Sequence, residues 1–357
     1  MTKAELDSIK ILPLEDSWYR KVKEKLDGIA KPLDGLGKFE HLIAQIGAIE
    51  KTTKISIQKK AVLVMCADNG VVEEQVSQSG KEVTLAVAKA MGVNNSSVGK
   101  MAAVAGVDVI PVDIGIDTDE VIPGVLPRKV AKGTKNFAKE PAMTEEEVLK
   151  AIETGIQLVQ QCHREGYEIF ATGEMGIGNT TTSTAVAAAL LDLEVEQVTG
   201  KGAGLTDEAL KRKCRVIKEA IEKYSLRDAD AFTILKTVGG LDIAGLTGVF
   251  IGAAIEQIPV VIDGVISAVA ALLAETLCKG AVNYMIPSHK SRELAETAIM
   301  KKLHLDPVLD ADMALGEGTG AVMMMSLLDV ALGVYLQGAS FATVSYTHLT
   351  LPTKLEV

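Results

Sequence analysis

Aromatic residues make up only 4% of this 357-residue chain, with a single tryptophan, whereas glycine occurs 32 times. Small residues on that scale imply close backbone packing, as where helices cover a parallel sheet, and point to an α/β fold. Cysteine is scarce too. Cys66, Cys162, Cys214 and Cys278 lie far apart with no paired spacing, which excludes a disulfide framework and fits reduced thiols in the cytosol. The five histidines, His41, His163, His289, His304 and His348, form no pair at helical spacing, so no structural metal is expected. Positive charge is nowhere clustered and the net charge is -10, which argues against a nucleic-acid partner. Residues 1–10 hold no apolar signal region. The longest charge-free apolar stretch, 243–255, is bounded by Asp242 and Glu256 and is too short to span a bilayer. The expectation is a cytoplasmic protein that acts on small molecules and contacts neither nucleic acid nor membrane.

What is present is a 48% hydrophobic chain, enough for one large domain with an appendage. Residues 14–30 and 36–50 have helical periodicity and are joined by Lys31-Pro32-Leu33-Asp34-Gly35, which turns the chain. Short apolar runs follow at 60–67, 107–112, 169–172, 259–262 and 282–286, each ending in polar or acidic residues. Helical patterns separate them at 82–105, 144–165, 180–191, 207–224, 265–278 and 291–303. Strands alternating with helices imply a Rossmann-like parallel sheet flanked by helices, whose ligands bind beyond the carboxyl ends of the strands. The expected division is a large α/β catalytic domain over 56–320 and a small helical domain from both chain ends, 1–55 and 321–343. In the tail, 344–357, threonine and leucine alternate without helix or core pattern, and non-native or disordered sequence is expected there.

Two glycine-rich segments carry the chemistry. Gly316-Glu317-Gly318-Thr319-Gly320 sets one carboxylate in a glycine turn between apolar flanks. Such an acid is placed for proton transfer; equally, it could complement the dipole of a helix beginning there. Gly173-Glu174-Met175-Gly176-Ile177-Gly178-Asn179-Thr180 joins a strand to a helix, and free amides at such a start attract phosphate. A tight turn with a threonine cap needs about one glycine, so the additional glycines, Glu174 and Asn179 favour a ligand site. No lysine precedes the threonines and the glycine spacing is not that of a dinucleotide fingerprint, so nucleotide triphosphatases and dehydrogenases are disfavoured. Asp68-Asn69-Gly70 could hold a substrate or form an Asx turn. The glycine loop 201–207 precedes a helix with Lys211, Arg212 and Lys213, a surface charge run by default, from which one residue reaching an anion is plausible. His289, in Ser288-His289-Lys290-Ser291, reads as a satisfied polar residue rather than a catalyst.

These segments, in this order, resemble the nicotinate-nucleotide:dimethylbenzimidazole phosphoribosyltransferase family, which builds the lower ligand of cobalamin. The resemblance runs from about residue 14 to 342, and the 173–181 and 316–320 motifs are its most specific parts. It implies displacement of nicotinate from nicotinate mononucleotide by a benzimidazole nitrogen, giving the α-riboside 5'-phosphate with inversion at C1'. Glu317 matches the general base. Gly176, Gly178, Asn179, Thr180 and Lys213 match the surroundings of the ribose phosphate, Glu174 lies by the sugar, and Ser291 is on the ligand side. Asp68, Gln78 and Gly80 fall in the first-loop stretches. The resemblance further implies no cofactor, no metal and a homodimer. The chain departs from the commoner pattern at Asn69, where many members have histidine, and around Gln78-Ser79-Gly80, where many carry an aromatic; adenine or a phenol is therefore retained beside dimethylbenzimidazole. A transferase using phosphoribosyl pyrophosphate would need adjacent acids before a Thr-Gly turn, and the chain has no Asp-Asp pair. A non-catalytic nucleotide sensor would have no use for Glu317.

Overall fold

The computed structural model describes residues 1–344 apart from 201 and 203, so from 345 onward the expectation for the tail lies outside the described residues. One sheet contains β1 (Lys60–Ala67), β2 (Val107–Gly115), β3 (Leu126–Pro127), β4 (Ile169–Met175), β5 (Val260–Ile262) and β6 (Met285–Pro287). Its order is β3-β2-β1-β4-β5-β6 and every neighbouring pair is parallel. β1 is buried at all eight positions, as a central strand covered on both faces must be. The winding reverses between β1 and β4, which opens a crevice at their carboxyl ends. Register sets Cys66 of β1 level with Met175 of β4, so the Asp68-Asn69 and Gly176 segments leave the sheet as neighbours.

The shortage of aromatics has a packing counterpart where helix Glu145–Arg164 meets helix Leu241–Glu256. A Cβ on Gly155 would collide with the carbonyl of Gly245, and one on Gly248 with that of Ile152. Helices this close leave no room for rings between them. Leu241–Glu256 is buried continuously from Leu241 to Ala254, which is why the apolar stretch 243–255 has no polar face to give it a readable period.

Several expected elements differ from those observed. The helix expected over 82–105 is two, Glu82–Gly92 and Ser97–Ala105. Asn94 adopts a left-handed φ of 53°, and Ser96 Oγ caps the second helix by accepting from Gly99 N at 3.1 Å. The strand expected at 282–286 is confined to Met285–Pro287, after a 3-10 turn at Ala281–Tyr284. The helix expected from 291 begins at Leu294, because Ser291 Oγ accepts from Glu293 N at 3.2 Å and holds those residues in a loop. Helices Lys3–Ser8, Val195–Val198, Ala231–Val238 and Leu241–Glu256 and the short β3 are not among the expected elements.

The chain forms two compact units, Met1–Pro13 with Ile57–Met325, and Leu14–Ser56 with the residues from Ser326 on. These units differ from the expected small domain of 1–55 and 321–343 at two places. Residues 1–13 belong with the sheet: the Met1 ammonium pairs with Glu153 at 2.8 Å, Leu6 is fully buried, and Tyr284 Oη donates to the Leu12 carbonyl at 2.9 Å. The last helix, Thr319–Gln337, is shared, with its residues up to Met325 in the larger unit. By length and hydropathy that helix could cross a membrane, a candidate the reading of 243–255 overlooked; 56% of its apolar window is buried inside the protein, as for a core helix.

In the smaller unit, helices Asp16–Asp27 and Lys38–Ile49 bury Val22 and Leu26 and, in turn, Leu42, Ile43 and Ile46. Asp27, Asp34 and Glu40 converge there in the manner of a cation site. The Lys23 ammonium already lies among them, 2.9 Å from Asp27, 2.5 Å from Asp34 and 2.9 Å from Glu40.

Candidate active site

In the larger unit, the segments leaving β4, β5 and β6, together with residues 314–317, enclose a cavity of ≈ 320 Å³, at the lower end of the roughly 300–1,000 Å³ typical of ligand pockets. Glu174, Gly176, Asn179, Thr180, Ser291 and Glu317 all line it. Sequence positions scattered over more than a third of the chain therefore meet at the strand ends, where the parallel sheet was expected to gather them.

Glu317 sits in a turn with three successive left-handed residues, Gly316 (φ 81°), Glu317 (φ 61°) and Gly318 (φ 91°). For a non-glycine residue that conformation costs on the order of 1–3 kcal/mol and persists only where the surroundings impose it. Two constraints do so. Gly173 on β4 has no side chain, and a Cβ there would press on the Glu317 carbonyl at 2.5 Å. Asp263, just past β5, accepts from Gly318 N at 3.2 Å and from Ala321 N at 3.0 Å. The Glu317 carboxylate accepts from Val98 N at 2.9 Å through Oε2, at the start of the second of the two helices that replace the expected one. The dipole of Ser97–Ala105 thus faces the carboxylate. Among the described residues no donor reaches Oε1.

Glu174, at the carboxyl end of β4, is buried and accepts from Asn179 Nδ2, which also donates to Asp242 Oδ2 at 3.1 Å. One amide group thus spans two buried carboxylates. Burial, then the charge of Asp242, push the Glu174 carboxyl up to about 8, with Asp263 and Glu317 adding to the rise and Asn179 opposing it. Burial likewise pushes Asp242 up to about 6 against the hydrogen bonds from Asn179 and its own backbone. Burial also raises Asp263, while His289 and the turn amides hold it down. Four carboxylates therefore crowd one end of the site.

The opposite character appears where helix Asn179–Leu191 begins. Gly178 supplies its N-cap at φ 93°, with Val72 close to the place a side chain would take. Lys213 is buried completely on helix Asp207–Lys223 and donates to Thr180 Oγ1 at 3.0 Å and to the Gly200 carbonyl at 3.2 Å. It is not the surface charge that a basic run suggests by default. Burial lowers its pKa, and Glu293 partly offsets this. Gly202, Ser291 and Glu293 complete this corner; Glu293 Oε1 accepts from Gly202 N at 3.1 Å.

Asp68, Gln78 and Gly80 do not line the cavity. Asp68 is buried and accepts from Asp117 N at 2.8 Å, which ties the first loop to the strand β2 end. Gln78 is exposed and donates to the Gly204 carbonyl, and Gly80 lies against the Glu82 carboxylate. His289, read as a satisfied polar residue, is buried with Nδ1 3.0 Å from Ser288 Oγ and also lines the cavity. Asp242, Asp263 and Glu293 were not singled out as site residues. The available signal for Asp263 was its place directly after a strand; for Asp242 it was a charge next to Gly239-Gly240 at the edge of an apolar run.

A parallel sheet wound in two directions brings a glycine-rich helix start and a carboxylate turn to one crevice, and a family model described as Phosphoribosyltransferase matches residues 11–345. The chain is 45% identical over 320 residues to a nicotinate-nucleotide--dimethylbenzimidazole phosphoribosyltransferase of Acetivibrio thermocellus, covering 90% of this chain and 91% of the relative. It is 43% identical over 328 residues to the enzyme of that name from Clostridium acetobutylicum, covering 92% and 93%. The crystal structure of CobT from Thermus thermophilus superposes with a TM-score of 0.88 at 33% identity, over 93% of this chain and 99% of that one. The chain belongs to the nicotinate-nucleotide dimethylbenzimidazole phosphoribosyltransferase family of cobalamin lower-ligand assembly, and it is a phosphoribosyltransferase.

Proposed function

We propose that this enzyme transfers the phosphoribosyl group of nicotinate mononucleotide to 5,6-dimethylbenzimidazole or a related base, giving α-ribazole 5'-phosphate and nicotinate with inversion at C1', and that Glu317 is the general base. One observation carries the reading: Glu317 and the start of helix Asn179–Leu191 line the same cavity. The two ends of the site differ in charge. Its cationic end, with Thr180, Ser291 and Lys213 behind Thr180, suits the 5'-phosphate. Its carboxylate end suits the positive charge that the pyridinium nucleotide brings and that grows on the ribose as the glycosidic bond weakens.

In this reading a ring nitrogen of the base bonds to C1' as the C1'–N bond to nicotinate breaks. The bonding pair returns to the pyridine ring, so the leaving group departs uncharged at nitrogen and needs no acid. The attacking azole becomes cationic and releases its other N–H proton to Glu317 Oε1, while Oε2 stays anchored on Val98 N. Glu174 faces the sugar, and holding both reactants in line can supply on the order of 7–11 kcal/mol of the barrier reduction. Val87, Ile177, Val265 and Leu315 give the cavity an apolar wall for a flat ring. The acting form is taken to be a cytosolic homodimer.

Incubating the protein with nicotinate mononucleotide and a panel of bases without metal, and following nicotinate release, tests the reading. Release that requires an azole and no magnesium is expected. Release that ignores the base, or that prefers adenine or a phenol, shifts the acceptor; no release with any base refutes the transfer.

A further inference from the structure

We propose that Asp263 is the positioning residue for Glu317: by occupying the amides of the glycine turn and the helix after it, Asp263 keeps the Glu317 carboxylate free for the cavity. The inference rests on the general-base reading of Glu317. An acid one or two residues ahead of a helix has an ordinary alternative, which is to fold back and cap that helix. Thr319–Gln337 begins two residues after Glu317, so this alternative is close at hand. It is blocked because the cap donors are taken: Gly318 N donates to Asp263 Oδ2 at 3.2 Å and Ala321 N to Oδ1 at 3.0 Å.

Asp263 is itself held through its own backbone on both sides. Its own amide donates to Ser267 Oγ at 3.1 Å, its carbonyl accepts from Ser288 Oγ at 3.3 Å, and the residue is 3% exposed. Within the turn, Thr319 Oγ1 and Thr319 N both donate to the Gly316 carbonyl, at 2.8 and 3.1 Å; these bonds close the turn without fixing where it points. The link to β5 does that. A neutral serine or asparagine would satisfy a helix start at less electrostatic cost, whereas this carboxylate is buried near Glu174, Glu317 and Glu296, whose pKa values its charge raises in two cases. A second carboxylate also repels Glu317 from the cap position, which a neutral cap would not do.

The test is a double-mutant cycle of Asp263→Asn and Glu317→Gln, read as kcat and KM for nicotinate mononucleotide, with thermal unfolding as the check on folding. Asparagine keeps the shape but offers one acceptor and turns an NH2 against a turn amide. The expected result is a kcat lowered by about 10- to 100-fold in Asp263→Asn with KM within about threefold, and a double variant no slower than Glu317→Gln alone, the non-additivity of residues acting as a unit. Losses that multiply, or a KM that rises as kcat falls, overturn the positioning role while leaving Glu317 as base. A Glu317→Gln enzyme of normal kcat overturns both. Should Asp263→Asn not fold, Asp263→Glu, which keeps both acceptors but displaces the turn by a methylene, enters the same cycle with the same expected and opposing outcomes.

Discussion

Glu40 in the smaller unit and Glu174 in the larger one are both removed from water, and they are treated in opposite ways. Glu40 receives Lys23 Nζ at 2.9 Å, Lys31 Nζ at 2.6 Å and Leu36 N at 3.1 Å. Burial alone would raise its pKa, but the two ammonium groups and the amide outweigh it and hold the carboxyl below its usual value. Glu174 receives only an amide group shared with Asp242, and its pKa moves up to about 8. Folding compensates a buried charge with a cation from the same chain wherever it can. On the proposed function, the site leaves the compensation to a positively charged reactant, in keeping with the raised pKa of Glu174.

Removing compensation where it exists should have the largest effect. Lys31→Met leaves Glu40 with one ammonium in place of two, and a stability loss of about 3 kcal/mol is expected, at the low end for broken buried pairs because Lys23 remains. Urea unfolding measures it, and turnover per folded molecule should be unchanged. A loss below about 1 kcal/mol would mean that Glu40 tolerates its burial as Glu174 does, and the contrast would collapse.

Glu317→Gln acts next in size. Turnover should fall roughly 100-fold or more, about 2.7 kcal/mol of barrier, with mononucleotide binding intact in calorimetry. Near-normal turnover removes Glu317 from the role of base.

Glu174→Gln sharpens the comparison through pH. The folded pKa of about 8 lies above the ordinary 4.5, so between those values the folded protein holds a proton that the unfolded chain has released. Stability from this group is fully present below about pH 4.5 and declines as pH rises toward 8. Denaturant midpoints at several pH values should show the wild type losing on the order of 2 kcal/mol more than Glu174→Gln across that window, a figure reduced from the full shift because Asp242 shares the proton. Glu40→Gln should show the reverse sign, a loss of stability relative to wild type above pH 4.5 that vanishes in acid. Parallel wild-type and Glu174→Gln profiles would show that Glu174 is ionised in the folded protein.

How much of this was legible in sequence differs residue by residue. Glu317 stood out because a charge framed by glycines serves no packing need. Strand and helix alternation was readable because buried parallel strands are short apolar runs ending in polar residues. The carboxylate cluster was not, since Asp242 and Asp263 look like the borders of apolar segments until the strand order places β4 beside β5. The break at 93–96 was hidden within one helical period, and with it went the helix start that anchors Glu317. Lys213 held an unread signal: it falls in register with Val216, Ile217 and Ala220, all buried on one stripe of helix Asp207–Lys223, and a lysine on an apolar stripe is a cation withdrawn from solvent.

That withdrawn cation gives the smallest effect and the finest test of the contrast with Glu40. Lys213 donates to two neutral oxygens and, among the described residues, no carboxylate lies within ion-pair distance of it. Its lowered pKa reflects burial that Glu293 only partly offsets. A phosphate dianion would supply what is missing, so Lys213→Met should weaken mononucleotide binding roughly tenfold, about 1.4 kcal/mol, through KM with little change in kcat. Stability without ligand should hold or rise, because a buried charge is replaced by an apolar chain of similar length. The rise in Tm on adding nicotinate mononucleotide should shrink, since that rise scales with ligand occupancy of the folded state. A variant that loses stability and binding together would make Lys213 a packing residue like those of its stripe, and the cationic end of the site would then rest on the helix start alone.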